Sequence, residues 1–332
     1  MNTRKLKDLT VSEIGMGCMG FSHGYGEIPS EDYAVDAIRK AFDYGCTFFD
    51  TAEGYGPFLR PENRGHNERI LGKAIQPFRK KIVLATKLHI ASEEPAQDGS
   101  VYQTIRRHAE ASLDRLQTDY IDLYYLHRIN PDIPVEEVAQ AMGRLIDEGM
   151  IRGWGMSMVN VAYLQRVQDI APLTAVQNIY SMMDRAYEKG VIPYCLEHNI
   201  GFVAFSPIAS GYLSGKVDPD QKFEGDDVRQ WVPQMKRENM IANRPLLDIL
   251  SDLAKQKNAT SAQISIAWML RKYPHVVPIP GSKNQERILE NLSACDVKLT
   301  DEEFHSLESA LETIEIHGQR SDLDAPTEFI DR

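Results

Sequence analysis

The sequence predicts a parallel (β/α)8 barrel, the TIM-barrel fold. Short apolar runs alternate with longer amphipathic segments, the runs number eight, and 332 residues suffice for one barrel, which takes about 250 residues plus insertions. An open doubly wound sheet would show the same alternation and is the alternative at this stage. No stretch has the composition of a linker, so we expect one domain over residues 1–332, with a polar tail over 312–332.

Each predicted strand is a short apolar run bounded by polar or turn-forming residues. The eight runs are 14–17, 46–50, 81–86, 120–126, 151–156, 174–176, 202–205 and 276–279. Helical periodicity covers 31–44, 68–75, 101–116 and 135–148. Ser30 can cap the first of these helices, and Gly149 can end the last. Two irregular stretches, 210–244 and the tail from Glu312 onward, are candidate lids over the strand ends.

Composition and charge restrict the class of protein. Lys and Arg number 37 against 48 Asp and Glu, a net charge of −11, which disfavours nucleic acid and anionic membranes as partners. The four cysteines are far apart and form no CxxC pair, so we expect a reducing compartment, without disulfides or a metal site. Residues 1–8 do not resemble a signal peptide, and no run approaches the roughly 20 apolar residues of a membrane span. We therefore expect a cytoplasmic protein.

A glycine-rich segment after the first strand matches the pattern GxGxxG. Gly15, Gly17 and Gly20 have the spacing of a dinucleotide-binding fingerprint. That fingerprint requires a helix to begin directly after the glycines, whereas the next helix begins only near Glu31. We therefore interpret these glycines as a tight strand exit close to a ligand.

Polar side chains stand at the ends of three consecutive predicted strands. Asp50 ends the second strand, and Tyr55 follows it closely. Lys87 ends the third strand and His127 the fourth. Alone, each residue has a structural explanation, such as a cap, a solvated cation or a hydrogen-bonded histidine. Because the carboxyl ends of barrel strands meet at one face, however, the four side chains are expected in one cleft, which indicates a catalytic site.

This combination suits proton donation to a carbonyl oxygen. A free tyrosine has a pKa of about 10, and an adjacent ammonium can lower that pKa by about 1–3 units. In this hypothesis Lys87 lowers the pKa of Tyr55, while Asp50 neutralises and orients Lys87. His127 hydrogen-bonds the carbonyl oxygen. None of the four side chains can supply a hydride, so a cofactor must bring it.

The motifs around these residues resemble the aldo-keto reductase family. The resemblance covers about 11–311 and is carried, in order, by FDTAEGYG at 49–56, NERILGKA at 67–74, ATK at 85–87, LDRLQTDYIDL at 113–123 and LHR at 126–128. It implies the tetrad Asp50, Tyr55, Lys87 and His127, and a nicotinamide cofactor extended across the barrel mouth. The implied reaction is NADPH-dependent reduction of a small aldehyde or ketone to an alcohol.

The resemblance also implies which residues bind NADPH or NADP+. Ser157 and Gln177 correspond to the pair that bonds the carboxamide, and Phe205 to the ring that stacks on the nicotinamide. The other implied ligands are Met19, Asp50, Ser206, Pro207, Ile208, Ser210, Gly211, Leu213, Lys216, Gly281, Ser282, Lys283, Arg287, Glu290 and Asn291. Lys283 and Arg287 would pair with a 2′-phosphate, which favours NADPH over NADH.

Several positions depart from residues common in the family. Met158 follows Ser157 where many members have Asn, so one carboxamide contact is expected to be absent. Met19 and His89 stand where some members have aromatic residues, and Arg128 where some have Trp. The expected substrate pocket is therefore less aromatic and more polar than in those members, and it comprises Met19, Tyr55, His89, His127 and Arg128. His89 and Arg128 are expected to favour a carboxylate or hydroxylated carbonyl compound.

Two other functions remain open from the sequence alone. An aldolase could use Lys87 as a Schiff-base nucleophile, although Asp50 and Tyr55 fit the charge-tuning of a tyrosine better. An NADPH-binding sensor or channel-subunit-like interaction protein, as some relatives of this fold are, would keep the cofactor site with slow or no turnover. The sequence does not determine the physiological substrate, the reaction direction, the strictness of the NADPH preference or the oligomeric state.

Overall fold

The computed structural model describes residues 1–318 and places eight parallel strands at the centre of the molecule. In chain order the strands of this part are a hairpin of β1 (Thr3–Leu6) and β2 (Leu9–Ser12), then β3 (Met16–Gly17), β4 (Phe48–Asp50), β5 (Val83–Leu88), β6 (Leu123–Leu126), β7 (Trp154–Ser157), β8 (Ala175–Ile179), β9 (Gly201–Phe205) and β10 (Val276–Pro278). From β3 to β10, each strand pairs in parallel with the next one along the chain.

The first and last strands of this sheet also meet, which closes the barrel. The amide of Gly15 donates to the carbonyl oxygen of Pro278 at 2.9 Å, and the amide of Gly17 donates to that of Pro280 at 3.4 Å. Gly17 and Gly281 form a parallel bridge. The fold is therefore the (β/α)8 barrel that the sequence predicted, and the open doubly wound sheet is excluded.

The hairpin β1–β2 covers the amino-terminal end of the barrel and was not predicted from the sequence. Leu6 and Val11 are fully buried and pack in one cluster with residues inside the barrel, such as Phe48 and Val203. A Cβ at Gly201, the first residue of β9, would lie 2.4 Å from the side chain of Leu6. The hairpin therefore closes one end of the barrel and leaves the carboxyl ends of the strands for a site.

Helices surround the barrel, and all of those in the described residues except α3 bury apolar side chains. They are α1 (Glu31–Asp43), α2 (His66–Ile75), α3 (Glu94–Asp98), α4 (Val101–Leu116), α5 (Val135–Asp147), α6 (Val161–Gln168), α7 (Val191–Glu197), α8 (Arg237–Ala242), α9 (Arg244–Lys257), α10 (Ser261–Lys272), α11 (Gln285–Leu292) and α12 (Asp301–Thr313). Ser30 caps α1 by accepting a hydrogen bond from the amide of Tyr33. Gly149 has a φ of 76° after α5. Both terminal signals lie where the sequence predicted them.

Some predicted boundaries were wrong by a few residues. The strand predicted over 81–86 is Val83–Leu88, because residues 76–81 form a 3₁₀ turn after α2. Lys87 therefore lies inside the strand. The strand predicted over 120–126 begins only at Leu123, and α2 begins two residues earlier than predicted, at His66. The apolar runs marked the right elements, but backbone hydrogen bonding sets where each element starts.

The structure describes all of the first predicted lid segment, 210–244, but only the start of the second, the tail. The stretch 210–244 contains short 3₁₀ turns and α8. The tail was expected from residue 312, but α12 continues to Thr313. His317 exchanges two backbone hydrogen bonds of 2.9 Å with the side chain of Asn243, so the start of the tail packs on the first stretch. Residues 319–332 of the predicted tail lie outside the described residues. Within 1–318, none of the helices is both long and apolar enough to traverse a bilayer.

Candidate active site

The four strand-end residues that the sequence singled out lie together at the carboxyl end of the barrel. Asp50 is the last residue of β4, and Lys87 is next to last in β5. Lys87 Nζ donates to Asp50 Oδ1 at 2.5 Å, to the carbonyl oxygen of Thr51 at 2.7 Å and to the hydroxyl of Tyr55 at 3.2 Å. The ring of His127, directly after β6, meets the ring of Tyr55 edge-on, with centroids 5.6 Å apart.

Burial and charge act in opposite directions on the lysine of this cluster. The side chain of Lys87 is fully buried. Burial alone would lower the pKa of Lys87, but the Asp50 carboxylate and the Tyr55 hydroxyl outweigh it, and the pKa is raised. Lys87 therefore stays an ammonium, held against the phenolic oxygen of Tyr55.

For His127, by contrast, burial and the neighbouring charges act in the same direction and lower the pKa. Its imidazole borders the cavity described below, and its pKa is well below the ordinary value. Burial is the largest cause, and the positive charges of Arg128 and Lys87 act in the same direction. The ring is therefore neutral near pH 7 and can offer one N–H as a hydrogen-bond donor.

A second layer of buried polar residues fixes the loop that carries Tyr55. Asn67, on α2, accepts from Thr51 Oγ1 at 2.6 Å and donates to the carbonyl oxygen of Cys18 at 2.9 Å. Glu53 accepts from the amide of His89 at 3.1 Å and is paired with His108 Nδ1 at 2.8 Å. Asn67 and Glu53 stand within the motifs at 67–74 and 49–56, but no role was predicted for either from the sequence. Their polar side chains in otherwise buried segments were the available signal.

A cavity of about 610 Å³ opens over the carboxyl ends of the strands. Its volume is typical of a small-molecule or cofactor site. The predicted site residues that line it are Met19, Asp50, Tyr55, His89, His127, Arg128, Ser157, Gln177, Phe205, Ser206, Pro207, Ile208, Ser210, Gly211, Lys216, Gly281, Ser282, Lys283, Arg287, Glu290 and Asn291. The side chain of Leu213 is instead fully buried in the hydrophobic core, and Lys87 lies buried behind Tyr55.

Two adjoining side chains in this cavity form a pattern complementary to a primary amide. Ser157 and Gln177 are directly paired across β7 and β8. Gln177 Nε2 donates to Asp50 Oδ2 at 2.7 Å, and since a carboxylate only accepts, the amide oxygen of Gln177 remains as an acceptor. Ser157 Oγ accepts from Arg128 at 3.1 Å, which leaves its O–H as a donor. One donor beside one acceptor fits the carbonyl and NH2 groups of a nicotinamide carboxamide.

The loop after β9 has backbone strain typical of a ligand clamp. Ser206, Ala209 and Ser210 all have a positive φ, between 47° and 56°, and Gly211 has a φ of 96°. Non-glycine residues adopt this conformation only when their surroundings enforce it. Ser206, Ser210 and Gly211 line the cavity, and the side chain of Ala209 is buried in the hydrophobic core.

Two of the basic residues expected to bind the cofactor already have protein partners. Lys283 Nζ donates to the carbonyl oxygens of Tyr25, at 2.8 Å, and of Glu27. Lys216 pairs with Glu290 at 3.2 Å across the cavity. Arg287, in the first turn of α11, is exposed and lines the cavity at this end. Arg287 is thus the better placed of the two predicted phosphate-binding residues.

Part of the predicted lid forms a strap beside the cavity, which we define as residues 226–229. Its Asp226 carboxylate pairs with His23 at 2.5 Å and accepts from the amide of Phe58 at 3.0 Å. The amide of Val228 donates to the carbonyl oxygen of Gly24 at 3.0 Å. The strap therefore connects the loops that follow β3 and β4.

Comparisons with known proteins agree with this architecture. The sequence profile of the Aldo/keto reductase family matches residues 13–312. Probable aldo-keto reductase 1 from Glycine max is 34% identical over 314 residues, which are 93% of this chain and 88% of that protein. A glycerol dehydrogenase from Gluconobacter oxydans has a TM-score of 0.82 at 26% identity, over 94% of this chain and 95% of its own. An aldo/keto reductase from Klebsiella pneumoniae, solved with NADP and acetate, has a TM-score of 0.72 at 28% identity, over 96% and 97% of the two chains.

Proposed function

The chain belongs to the aldo/keto reductase family of oxidoreductases, and we propose that it reduces aldehydes or ketones to alcohols with NADPH. The observation that carries the proposal is the 3.2 Å contact between the buried Lys87 ammonium and the Tyr55 hydroxyl, at the border of a cofactor-sized cavity. A cation held against a phenol can stabilise the phenolate that forms when the phenol donates its proton.

We assign the proton donor of the reaction to Tyr55. Its hydroxyl gives a proton to the carbonyl oxygen of the substrate, and the Lys87 ammonium stabilises the phenolate that remains. Asp50 neutralises the buried charge of Lys87 and fixes its position. The neutral His127 donates a hydrogen bond to the same carbonyl oxygen and orients it, without itself being an acid at pH 7.

The remaining cavity residues are proposed to hold the cofactor, which when bound supplies the hydride. The donor and acceptor presented by Ser157 and Gln177 bind the carboxamide, and Phe205 stacks on the nicotinamide ring. The strained loop 206–211 receives the phosphates. Arg287 pairs with the 2′-phosphate, and Lys283 supports it by fixing the adjacent loop through Tyr25. His89 is proposed to face the substrate, since its exposed side chain lines the cavity.

NADPH consumption with a panel of activated aldehydes, measured for the unmodified protein and for Tyr55→Phe, tests this function. The variant removes one hydroxyl, so we expect turnover to fall by about 10²–10⁴-fold, the usual contribution of a general acid. NADPH affinity, measured by fluorescence titration, should be unchanged, because Tyr55 is not assigned to cofactor binding.

Tyr44→Phe is the matched control. Tyr44 follows α1 at the surface, where its hydroxyl bonds Asp296 at 3.3 Å, so its loss should change neither turnover nor affinity. Equal turnover of Tyr55→Phe and the unmodified protein would contradict the assignment of the acid. NADPH binding without turnover of any aldehyde would instead favour a sensor or interaction protein.

A further inference from the structure

Arg128 connects two residues of the candidate site, His127 and Ser157, for which separate roles were predicted from the sequence. One guanidinium nitrogen, Nη1, donates to the carbonyl oxygen of His127 at 2.6 Å and to Ser157 Oγ at 3.1 Å. His127 and Ser157 lie at the carboxyl ends of the neighbouring strands β6 and β7. The guanidinium therefore bridges the backbone of His127 and the side chain of Ser157, the serine assigned to the carboxamide.

The contact also decides the hydrogen-bonding direction of Ser157. A serine hydroxyl can donate once and accept twice, so an isolated Ser157 could face a ligand either as donor or as acceptor. Arg128 has only donors, and Ser157 must therefore accept from it. The O–H of Ser157 is left to donate, in complement to the acceptor oxygen of Gln177 beside it.

The residue after Ser157 does not supply the hydrogen-bond donor that sets the direction of the Ser157 hydroxyl. Met158 is 1% exposed, belongs to the hydrophobic core, and has a φ of 55°. Its sulfur lies 3.9 Å from the hydroxyl of Tyr187, which is itself buried in the core. The polar group that contacts Ser157 thus comes from the neighbouring strand, through Arg128.

We propose that Arg128 is a positioning residue for the cofactor, which holds Ser157 as a hydrogen-bond donor to the nicotinamide carboxamide. The inference rests on the proposed function, because it assigns a role within the same cofactor site. It differs from the expectation drawn from the sequence, in which Arg128 faced the substrate and selected for a carboxylate. The two roles differ in what the loss of Arg128 would change: affinity for the nicotinamide end of the cofactor, or discrimination between charged and neutral substrates.

Binding measurements with two ligands test the proposal, namely NADPH and adenosine 2′,5′-bisphosphate, which lacks the nicotinamide. We expect Arg128→Met to weaken NADPH binding about tenfold, the order expected for one hydrogen bond to a charged group. Binding of adenosine 2′,5′-bisphosphate should be unchanged, because its contacts lie at the α11 end of the cavity. Arg166→Met, on α6, is the control: Arg166 is half-exposed and pairs with Glu136, so its loss should affect neither ligand.

A double-mutant cycle shows whether Arg128 acts through Ser157. Ser157→Ala alone should weaken NADPH binding, and adding Arg128→Met should weaken it no further. Arg128→Lys keeps a cationic donor, so its NADPH affinity should lie between that of Arg128→Met and that of the unmodified protein. It serves as a second variant if Arg128→Met folds poorly.

Three results would overturn the proposal. They are unchanged NADPH affinity in Arg128→Met, additive losses in the double variant, and an equal loss of affinity for adenosine 2′,5′-bisphosphate. Unchanged NADPH affinity with reduced kcat/KM only for carboxylate-bearing aldehydes would return Arg128 to the substrate side. Absence of NADPH binding by the unmodified protein would contradict the proposed function itself, so the two failures are distinguishable.

Discussion

At the scale of single residues, His127 links the electrostatics of the site to the stability of the protein. Its pKa in the folded state lies well below the ordinary value of about 6.5, mainly through burial and then through the charges of Arg128 and Lys87. The unfolded chain therefore binds a proton at His127 at a pH where the folded protein does not. Such a group makes the folded protein less stable as the pH falls from about 6.5 toward the folded-state pKa.

We predict that His127→Asn loses less stability on acidification than the unmodified protein. The free energy of unfolding, measured in urea between about pH 7.5 and about pH 5.5, should fall less steeply for the variant because Asn does not titrate. Other groups keep some pH dependence in both proteins; His66 and His275, for example, also have lowered pKa values through burial. Parallel pH profiles for the two proteins would show that His127 is not kept neutral by the fold.

The residue scale also shows what the sequence could and could not predict about the site. Asp50, Tyr55, Lys87 and His127 were found because each stands at a strand end, and a parallel barrel brings all such ends to one face. The hydrogen bond from Arg128 to Ser157 was not predicted. Ser157 lies 29 positions after Arg128, and only the pairing of β6 with β7 brings the two residues together. Hydrogen bonds between strand ends depend on register, which the pattern of apolar runs does not define.

At the scale of secondary-structure elements, barrel closure explains two of the glycines singled out in the sequence, Gly15 and Gly17, at the start of β3. A Cβ at Gly15 would lie 2.6 Å from the ring of Phe48, and one at Gly17 would lie 2.9 Å from the carbonyl oxygen of Ile279. Both distances are shorter than van der Waals contact, and backbone cannot easily move in a closed ring. Only glycine permits β3 and β10 to approach and complete the barrel.

We predict that Gly17→Ala destabilises the protein by about 1–3 kcal/mol, the usual cost of inserting a methyl group into a packed region. The measurement is denaturant-induced unfolding of the variant and the unmodified protein. Gly143→Ala is the matched control, since Gly143 lies within α5 and its added Cβ would be 3.5 Å from the nearest side chain. That change should stabilise by about 0.5–1 kcal/mol, because alanine favours the helix. Equal effects of the two substitutions would contradict the closure argument.

The hairpin at the amino terminus was among the elements that were not predicted from the sequence. Its two strands have four residues each, and β1, with the sequence TRKL, has polar residues at three of its four positions. The hairpin is held by the burial of Leu6 and Val11 against the barrel and by Arg4, which donates to the carbonyl oxygens of Tyr273 and Leu270. The hydrogen bonds of Arg4 join residues more than 260 positions apart, so no local pattern predicts them.

At the scale of the whole molecule, local charge at the site differs from the charge of the protein. The chain carries a net charge of −11, yet Lys216, Lys283 and Arg287 line one end of the cavity. Lys216 is offset by Glu290, and Lys283 is bonded to backbone carbonyls. The preference for a phosphorylated cofactor is therefore expected to depend most on Arg287, at the start of α11.

Ligand-dependent stability of the folded protein makes this preference measurable. A ligand that binds only the folded state raises the free energy of unfolding by about 2.7 kcal/mol at 100 times its Kd. NADH at the same concentration should stabilise the protein by about 1 kcal/mol less than NADPH does, since a partly solvated phosphate contact is worth about that much. Arg287→Met should lower the effect of NADPH to that of NADH and leave the effect of NADH unchanged.

Arg244→Met tests whether removing any positive charge has the same result. Arg244 is the first residue of α9, is exposed and pairs with Asp248, so the difference between NADPH and NADH should persist in this variant. Equal stabilisation of the unmodified protein by the two cofactors would contradict the assignment of the 2′-phosphate site. A preference that survives in Arg287→Met would place the phosphate contact elsewhere, with Lys283 as the next residue to replace, because it lines the same end of the cavity.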